Sequence, residues 1–146
     1  LSPATVVVVD SSADKRRLAL ELGADQVVDP ADADAMEQIK AASHGEGAAV
    51  ALDFVGADAT MRLGASSLGP QGLFVLVGLA GGSFPFSFFS LPVQATLTSS
   101  SWGSRNELEE VLAMARTGRL VSTIERYPLG EINDVFARLA AGQVQG

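Results

Sequence analysis

The 146-residue sequence contains no cysteine and only one histidine, His44. The lack of cysteine excludes disulfide bonds, thiol nucleophiles and cysteine metal ligands. A single histidine cannot build a zinc centre, which normally takes three or four close ligands. Basic residues are few, since 10 Lys and Arg stand against 17 Asp and Glu for a formal net charge of −7. This charge opposes the phosphate contacts that dominate nucleic-acid binding, so we expect neither nucleic acid nor an anionic membrane as a partner.

Long hydrophobic runs are also absent. The longest apolar stretches are short and are interrupted by Gly, Asp or Ser, so none can cross a bilayer core of roughly 30 Å. No secretory signal pattern opens the chain, and we expect a cytoplasmic protein. The composition suits a globular domain, because 47% of the residues are hydrophobic and a chain of this length buries roughly 70% of its unfolded surface.

Short β-branched runs alternate with segments of helical period. This alternation is typical of a parallel sheet with helices on its faces, so the predicted fold class is α/β, a doubly wound, Rossmann-like parallel sheet. Residues 69–72 predict a turn. The predicted strands are 5–9, 26–28, 49–55, 73–77, 95–101 and 122–126, and the predicted helices are 14–22, 32–42, a segment after residue 58, 107–116 and a last segment around 132–139.

The first strand ends in a single acid, Asp10. A carboxylate at such a tip can accept hydrogen bonds from both hydroxyls of an adenosine ribose, and Lys15 could reach the same ribose. The carboxylate would also repel the 2′-phosphate of NADP, which favours NAD, although Arg16 or Arg17 could pair with a phosphate. The alternative is an ordinary strand-end aspartate at the start of a helix that the hydroxyls of residues 11–12 can cap.

A glycine-rich turn for the pyrophosphate is expected about 20 residues before such an acid. Only four residues precede the strand here. We therefore expect that the first βα unit of the fold is missing from this sequence, and that no last strand follows the final helix.

Three other predicted strand ends combine an apolar residue with glycine, at Val55 and Gly56, Val77 and Gly78, and Trp102 and Gly103. Glycine allows backbone to approach a flat ring without a Cβ in the way, although a turn after a strand often needs glycine for its own conformation.

Two polar residues are predicted to be structural. Asp53 lies in an apolar strand, where an unpaired carboxylate is costly, so we expect a hydrogen-bond or ion-pair partner for it. His44 is predicted to be a solvated turn residue.

Residues 81–92 carry four of the seven phenylalanines. Phe84, Phe86 and Phe88 share a period of two, which predicts one aromatic face on an extended segment. Pro85 and Pro92 restrict that segment to the edge of a sheet. Either the rings pack on the protein's own core or they form a subunit interface.

The motifs taken together resemble one family. The matching segments are residues 6–10, 22–25, 27–28, 53–56, 72–78 and 101–108. On these segments the sequence resembles the zinc-dependent alcohol dehydrogenases of the medium-chain dehydrogenase/reductase superfamily. The resemblance implies a truncated dinucleotide-binding domain over residues 1–146, from an enzyme that transfers a hydride between an alcohol or carbonyl substrate and NAD.

The resemblance also assigns ten cofactor-binding positions and places the family's dimer-forming strand at residues 81–89. The assigned positions are the ribose and adenine contacts Asp10, Ser11 and Lys15, the residues along the adenosine and nicotinamide-ribose path Phe54 and Val55, the segment beside the nicotinamide Val77, Gly78 and Leu79, and the backbone groups for the carboxamide Ser100 and Trp102.

The family's catalytic domain, with its zinc ligands and proton relay, has no counterpart in this sequence. The resemblance therefore implies that zinc is held outside these residues, that no catalytic or metal-binding residue lies among them, and that they are inactive alone. Two alternatives stay open: a zinc-free quinone or enoyl reductase that uses NADPH, and a nucleotide-sensing module without chemistry.

Overall fold

The computed structural model describes residues 4–118, 120 and 122–144. Contacts divide the chain into two units, Leu1–Ser101 and Trp102–Gly146. The first unit contains β1 (Val7–Val9), α1 (Ala13–Glu21), β2 (Gln26–Val28), α2 (Ala35–Ala41), β3 (Ala48–Asp53), α3 (Asp58–Ser67), β4 (Leu68–Leu76) and β5 (Thr96–Ser99). The second contains α4 (Arg105–Arg116), a short 3-10 helix (Leu129–Glu131) and α5 (Ile132–Ala140).

All strand pairs of the first unit are parallel. β1 pairs with β2, and β3, β4 and β5 pair in that order. The predicted α/β, Rossmann-like class is confirmed. Within the described residues, however, the strands form two sheets, because β1 and β3 are not paired with each other. The fold is therefore the expected one with a break between β1 and β3.

Two apolar clusters lie beneath these sheets, and α3 contributes to both. Leu63 packs against the first cluster, whereas Met61 belongs to the second with the fully buried Phe74. A Cβ on Gly64 would lie 2.4 Å from the Phe74 ring, so this glycine allows α3 to approach β4. The first cluster consists of Val28, Ala35 and Ile39, and the second of Met61, Leu68 and Phe74.

The turn predicted at residues 69–72 lies inside β4 instead. Leu68 pairs with Ala48, and regular pairing resumes between Leu73 and Val50 after a register shift. Gln71 adopts a φ of 60°, in the left-handed region that turn residues use. The turn-forming residues therefore form an irregularity within the strand.

The second unit corrects one prediction. Residues 122–126 form no strand, and the described part of this unit contains no other strand with which such a segment could pair. The predicted helices are confirmed as α4 and α5. Helix α4 begins two residues before the predicted start, because Ser104 caps it by accepting from the Glu107 N–H at 3.3 Å. Residues 145–146, after the last helix, lie outside the described residues.

Candidate functional site

Asp10 follows β1 and is partly buried. Its Oδ1 accepts a hydrogen bond from the Ser12 N–H at 2.7 Å, and the Ser12 hydroxyl caps α1 by accepting from the Lys15 N–H at 3.4 Å. The predicted cap is therefore Ser12. Asp10 Oδ2 has no hydrogen-bond partner among the residues that the structure describes. One carboxylate oxygen is held in place and the other is available to a ligand.

The two arginines of α1 are both engaged by carboxylates. Arg16 donates to the Asp10 carbonyl oxygen at 2.6 Å and pairs with Asp29 at 2.8 Å, with side chains only 18% and 26% exposed. Arg17 contacts Asp14 at 3.1 Å on the exposed surface. Lys15, in contrast, is exposed and forms no ion pair within residues 4–118. It is thus the free cation nearest in sequence to Asp10.

Asp53 ends β3 and is 7% exposed. Its Oδ1 accepts from the N–H groups of Val55 and Gly56, each at 2.9 Å, and its Oδ2 accepts from the Thr60 hydroxyl at 2.9 Å. Its carbonyl oxygen accepts from the N–H groups of Val77 and Gly78 at 2.8 and 2.9 Å. The prediction that Asp53 has partners is confirmed, and they are hydrogen-bond donors.

Gly56 and Gly78 are required where the ends of β3 and β4 touch. Gly56 has a φ of +74°, and a Cβ on it would lie 2.3 Å from the Gly78 carbonyl oxygen. A Cβ on Gly78 would lie 2.1 Å from the Val55 carbonyl carbon. The backbone of the neighbouring strand end, not a flat ligand ring, occupies these positions. Gly103 differs, since its nearest neighbour is the Glu107 carboxylate at 3.6 Å.

Hydrogen bonds join the segment after β4 to the turn after β3 and to the start of α3. The N–H groups of Ala80 and Gly82 donate to the carbonyl oxygens of Val55 and Gly56 at 3.0 and 2.9 Å. Asp58 Oδ1 accepts from the Ser83 N–H at 2.8 Å. This hydrogen bond lowers the pKa of Asp58 below its usual value, and nearby Arg62 lowers it further. Residues 53–58 and 77–83 therefore form one joined structure, which we call the β3–β4 clasp.

The β3–β4 clasp brings together five of the ten predicted positions. Phe54 is 71% exposed and Leu79 is 84% exposed, and Val55 is exposed beside them. Val77 and Gly78 are partly buried between the two strand ends. The clasp thus presents apolar side chains on a backbone that is fixed by hydrogen bonds.

The other predicted positions lie elsewhere. Ser100 follows β5, which pairs with β4, and its N–H donates to the Leu76 carbonyl oxygen at 2.9 Å. Asp10 and Ser11 follow β1, which belongs to the other sheet, and Lys15 lies in the first turn of α1. Trp102 begins the second unit, with an exposed indole and a φ of 51°.

Sequence reasoning missed two features of the site. One is the Arg16–Asp29 pair: Arg16 lies on α1, pairs with Asp29 after β2 and donates to the Asp10 carbonyl oxygen after β1, so it links the ends of these two strands. The other is Thr60, whose hydroxyl both accepts from the Ala57 N–H at 3.1 Å and contacts Asp53. The sequence did contain a signal for Thr60, because a polar side chain at the third position of a helix can hydrogen-bond back to the residue that precedes the helix.

The phenylalanine segment departs from the predicted edge strand. Residues 84–92 form no strand, because Pro85 and Pro92 lack N–H donors and a local turn joins Ser87 to Ser90. Phe84 packs against the second apolar cluster. Phe86 is exposed, and Phe88 and Phe89 are each 89% exposed and stack edge to face, 5.1 Å apart. Of the phenylalanines at 84, 86 and 88, only Phe84 packs on the protein's own core, as one of the two interpretations predicted.

The described residues lack two kinds of feature, a cluster of metal ligands and a helix able to span a membrane. No three or more His, Cys, Asp or Glu side chains converge there as metal ligands would, so the donor set needed for zinc is not found among them. None of the described helices has the length and apolar character required to span a membrane.

Comparison with known proteins places this arrangement in a family. Residues 2–117 match the zinc-binding dehydrogenase family. The chain is 35% identical to the D-arabinose 1-dehydrogenase (NADP(+)) of Saccharolobus solfataricus and 36% identical to an alcohol dehydrogenase of Geobacillus stearothermophilus, over 97% of its own length and 40% and 42% of theirs. It therefore spans about two fifths of the length of these relatives.

A solved structure agrees with the sequence comparison. The alcohol dehydrogenase of the archaeon Aeropyrum pernix superimposes with a TM-score of 0.87 and 37% identity, over 99% of this chain and 42% of that one. The sequence match and the shared fold cover the same strands and strand ends described above. The chain belongs to the zinc-binding dehydrogenase family.

Proposed function

We propose that this chain is the nucleotide-binding part of a longer dehydrogenase that transfers a hydride between NAD and an alcohol or carbonyl compound. The observation that carries the proposal is Asp10. Its Oδ1 is fixed by the Ser12 N–H and its Oδ2 is free among the described residues. This suits a carboxylate that accepts hydrogen bonds from ribose hydroxyls at the carboxyl edge of a parallel sheet.

The surroundings of Asp10 support NAD over NADP. A carboxylate and a phosphate about 4 Å apart repel by about 4 kcal/mol per pair of unit charges at an effective dielectric constant of about 20. Arg16 forms an ion pair with Asp29 and a hydrogen bond to the Asp10 carbonyl oxygen, so it is not free to neutralise a 2′-phosphate. The S. solfataricus relative is named for NADP(+), which makes the preference of this chain a specific question for experiment.

The β3–β4 clasp would hold the remainder of the nucleotide. Its exposed Phe54, Val55 and Leu79 offer apolar contacts of the kind that line cofactor sites. Ser11, Lys15, Val77, Gly78, Ser100 and Trp102 remain predicted cofactor contacts. Zinc is proposed to belong to the complete enzyme, with ligands outside the residues described here, which contribute binding and orientation of the nucleotide.

We also propose that a second copy of the chain covers residues 81–89. The exposed rings of Phe86, Phe88 and Phe89 form the kind of aromatic patch that is enriched at interfaces. Sedimentation velocity on the complete natural polypeptide should show a dimer, and Phe88→Ser with Phe89→Ser should shift it toward monomer. A monomer before substitution contradicts this interface.

The nucleotide site is tested by Asp10→Asn in the complete natural polypeptide. The amide keeps the oxygen that accepts from Ser12 but loses the charge. A hydrogen bond to a charged group contributes about 1.5–3 kcal/mol, so the Kd for NAD should rise about tenfold or more, and the preference for NAD over NADP should fall. Titration calorimetry with both nucleotides measures the two values.

Asp14→Asn is the matched control, since it removes one negative charge from an exposed position in the first turn of α1, four residues after Asp10. It should leave both Kd values close to those of the unsubstituted protein. An unchanged NAD/NADP ratio in Asp10→Asn would falsify the ribose role of Asp10. Binding of NAD without any oxidation of alcohols by the complete protein would instead favour a nucleotide sensor over an enzyme.

A further inference from the structure

We propose that Asp53 is a positioning residue for the nucleotide, acting through the backbone of the β3–β4 clasp and not by contact with the ligand. The proposal rests on the proposed function, because it takes the exposed side chains of the clasp as nucleotide contacts. Asp53 itself is buried, with only 7% of its surface exposed.

Asp53 connects three segments, which are the turn after β3, the first turn of α3 and the end of β4. Its carboxylate holds the turn through the N–H groups of Val55 and Gly56. The same carboxylate reaches the first turn of α3 through the Thr60 hydroxyl. Its carbonyl oxygen holds the end of β4 through Val77 and Gly78. Five donors on one buried residue fix the two strand ends relative to each other and to the helix.

The clasp has no space in which to absorb a displacement. The positions of Cβ atoms on Gly56 and Gly78 would fall 2.3 and 2.1 Å from the opposite backbone, so a shift of one strand end moves the other. Phe54 and Val55 lie between the anchored Asp53 and Gly56, and Leu79 follows Gly78. A change at Asp53 should therefore move all three exposed side chains, and a displacement of about 1 Å is enough to impair a bound ligand's geometry.

The role requires hydrogen-bond acceptors in a fixed place more than it requires charge. No cation pairs with Asp53 within residues 4–118. In Asp53→Asn the amide oxygen could still accept from the two backbone N–H groups. The amide nitrogen could donate to the Thr60 hydroxyl, which would then donate to the Ala57 carbonyl oxygen, 3.0 Å away. Asparagine should thus replace aspartate, whereas alanine should not.

The test uses the complete natural polypeptide and NAD as the probe. Asp53→Ala leaves the Val55 and Gly56 N–H groups without their acceptor, which should displace the exposed side chains of the clasp. Because a misplacement of about 1 Å can cost on the order of 100-fold, we expect the Kd for NAD to rise about tenfold or more. Thr60→Val keeps the shape of the side chain and removes one donor, so its Kd should rise less. Asp53→Asn should bind NAD nearly as the unsubstituted protein does.

Ser67→Ala is the control for stability without positioning. Ser67 is buried at the other end of α3 and donates to the Gly64 carbonyl oxygen at 2.8 Å. Its loss should lower the melting temperature and leave the Kd for NAD unchanged. All Kd values are measured by titration calorimetry below the lowest melting temperature of the set, so that unfolding does not enter the comparison.

The outcomes separate the two proposals. If Asp53→Ala and Thr60→Val lower the melting temperature but bind NAD as the unsubstituted protein does, Asp53 is only structural and the inference is wrong. Loss of affinity in Asp53→Asn equal to that in Asp53→Ala also contradicts it, because charge would then matter more than position. If Asp53→Ala does not fold, Thr60→Val decides. Failure of the unsubstituted protein to bind NAD overturns the proposed function and this inference with it.

Discussion

Asp10 and Asp53 occupy equivalent places in the fold, since each is an aspartate at the carboxyl end of a parallel strand, followed within five residues by a helix. Their surroundings differ. Asp10 is partly buried, with one carboxylate oxygen accepting from the Ser12 N–H and its carbonyl oxygen accepting from Arg16. Asp53 is buried and engages both carboxylate oxygens and its carbonyl oxygen with five donors.

The difference shows how one residue type serves two purposes at one kind of position. A carboxylate that retains an unpaired oxygen near the surface can accept a ligand's hydrogen bonds. A carboxylate whose oxygens are all engaged in a dry environment stabilises a local backbone arrangement instead. The same substitution should therefore act differently, because Asp→Asn at residue 10 removes the charge that excludes a 2′-phosphate, whereas at residue 53 it retains the acceptor.

The largest expected effect comes from breaking the backbone contact that Asp53 supports. Gly78→Ala would place a Cβ 2.1 Å from the Val55 carbonyl carbon, and no rotation of a methyl group relieves contact with backbone. We expect a loss of about 3 kcal/mol or more in the free energy of unfolding. Calorimetry or denaturant titration of the complete natural polypeptide measures it.

Gly103→Ala is the matched change at the third predicted strand-end glycine. Among the described residues its Cβ would meet only the Glu107 side chain, at ordinary van der Waals distances of 3.6 and 3.8 Å, so the free energy of unfolding should change by less than about 1 kcal/mol. Equal losses for the two substitutions would contradict a tightly packed clasp, and the contrast between a rigid end at Asp53 and an open end at Asp10 would weaken with it.

The sequence predicts those strands and helices whose own residues show an apolar run or a helical period. The runs at β1 and β3 and the period of α4 are visible without a structure, and so is the need of a buried Asp53 for partners. The donors to the Asp53 carbonyl oxygen could not be predicted, because the N–H groups of Val77 and Gly78 reach it only through the register between two strands. Propensity alone also failed at residues 122–126, since a strand forms only where another strand can pair with it.

The phenylalanine segment shows a second limit of the sequence. Its period of two predicts an extended edge, but the structure has a turn in which Ser87 donates to the Ser90 hydroxyl at 2.7 Å. Phe84 is the ring that packs inward. Side-chain alternation describes which residues could share a face, whereas backbone donors decide whether a strand exists, and the prolines remove two of them.

A smaller effect is expected where Arg16 supports the end of β1. Arg16 and Asp29 are less than one third exposed, whereas Arg17 and Asp14 are each 66% exposed. Exposed ion pairs contribute roughly 0–1 kcal/mol, and breaking a fully buried pair costs roughly 3–5 kcal/mol. The coupling energy between Arg16 and Asp29 should lie between these limits, at about 1–3 kcal/mol.

A double-mutant cycle of Arg16→Met with Asp29→Asn measures this coupling from the free energies of unfolding, and the cycle of Arg17→Met with Asp14→Asn is its control on the same helix. The first coupling should exceed the second because the Arg16 and Asp29 side chains are 18% and 26% exposed, whereas those of Arg17 and Asp14 are each 66% exposed, so solvent screens the first pair less. Equal couplings would mean that the end of β1 is as solvent-screened as the helix surface. Arg16 would then contribute little to the order of the β1 end, and Asp10 would depend on the Ser12 N–H whereas Asp53 has five donors.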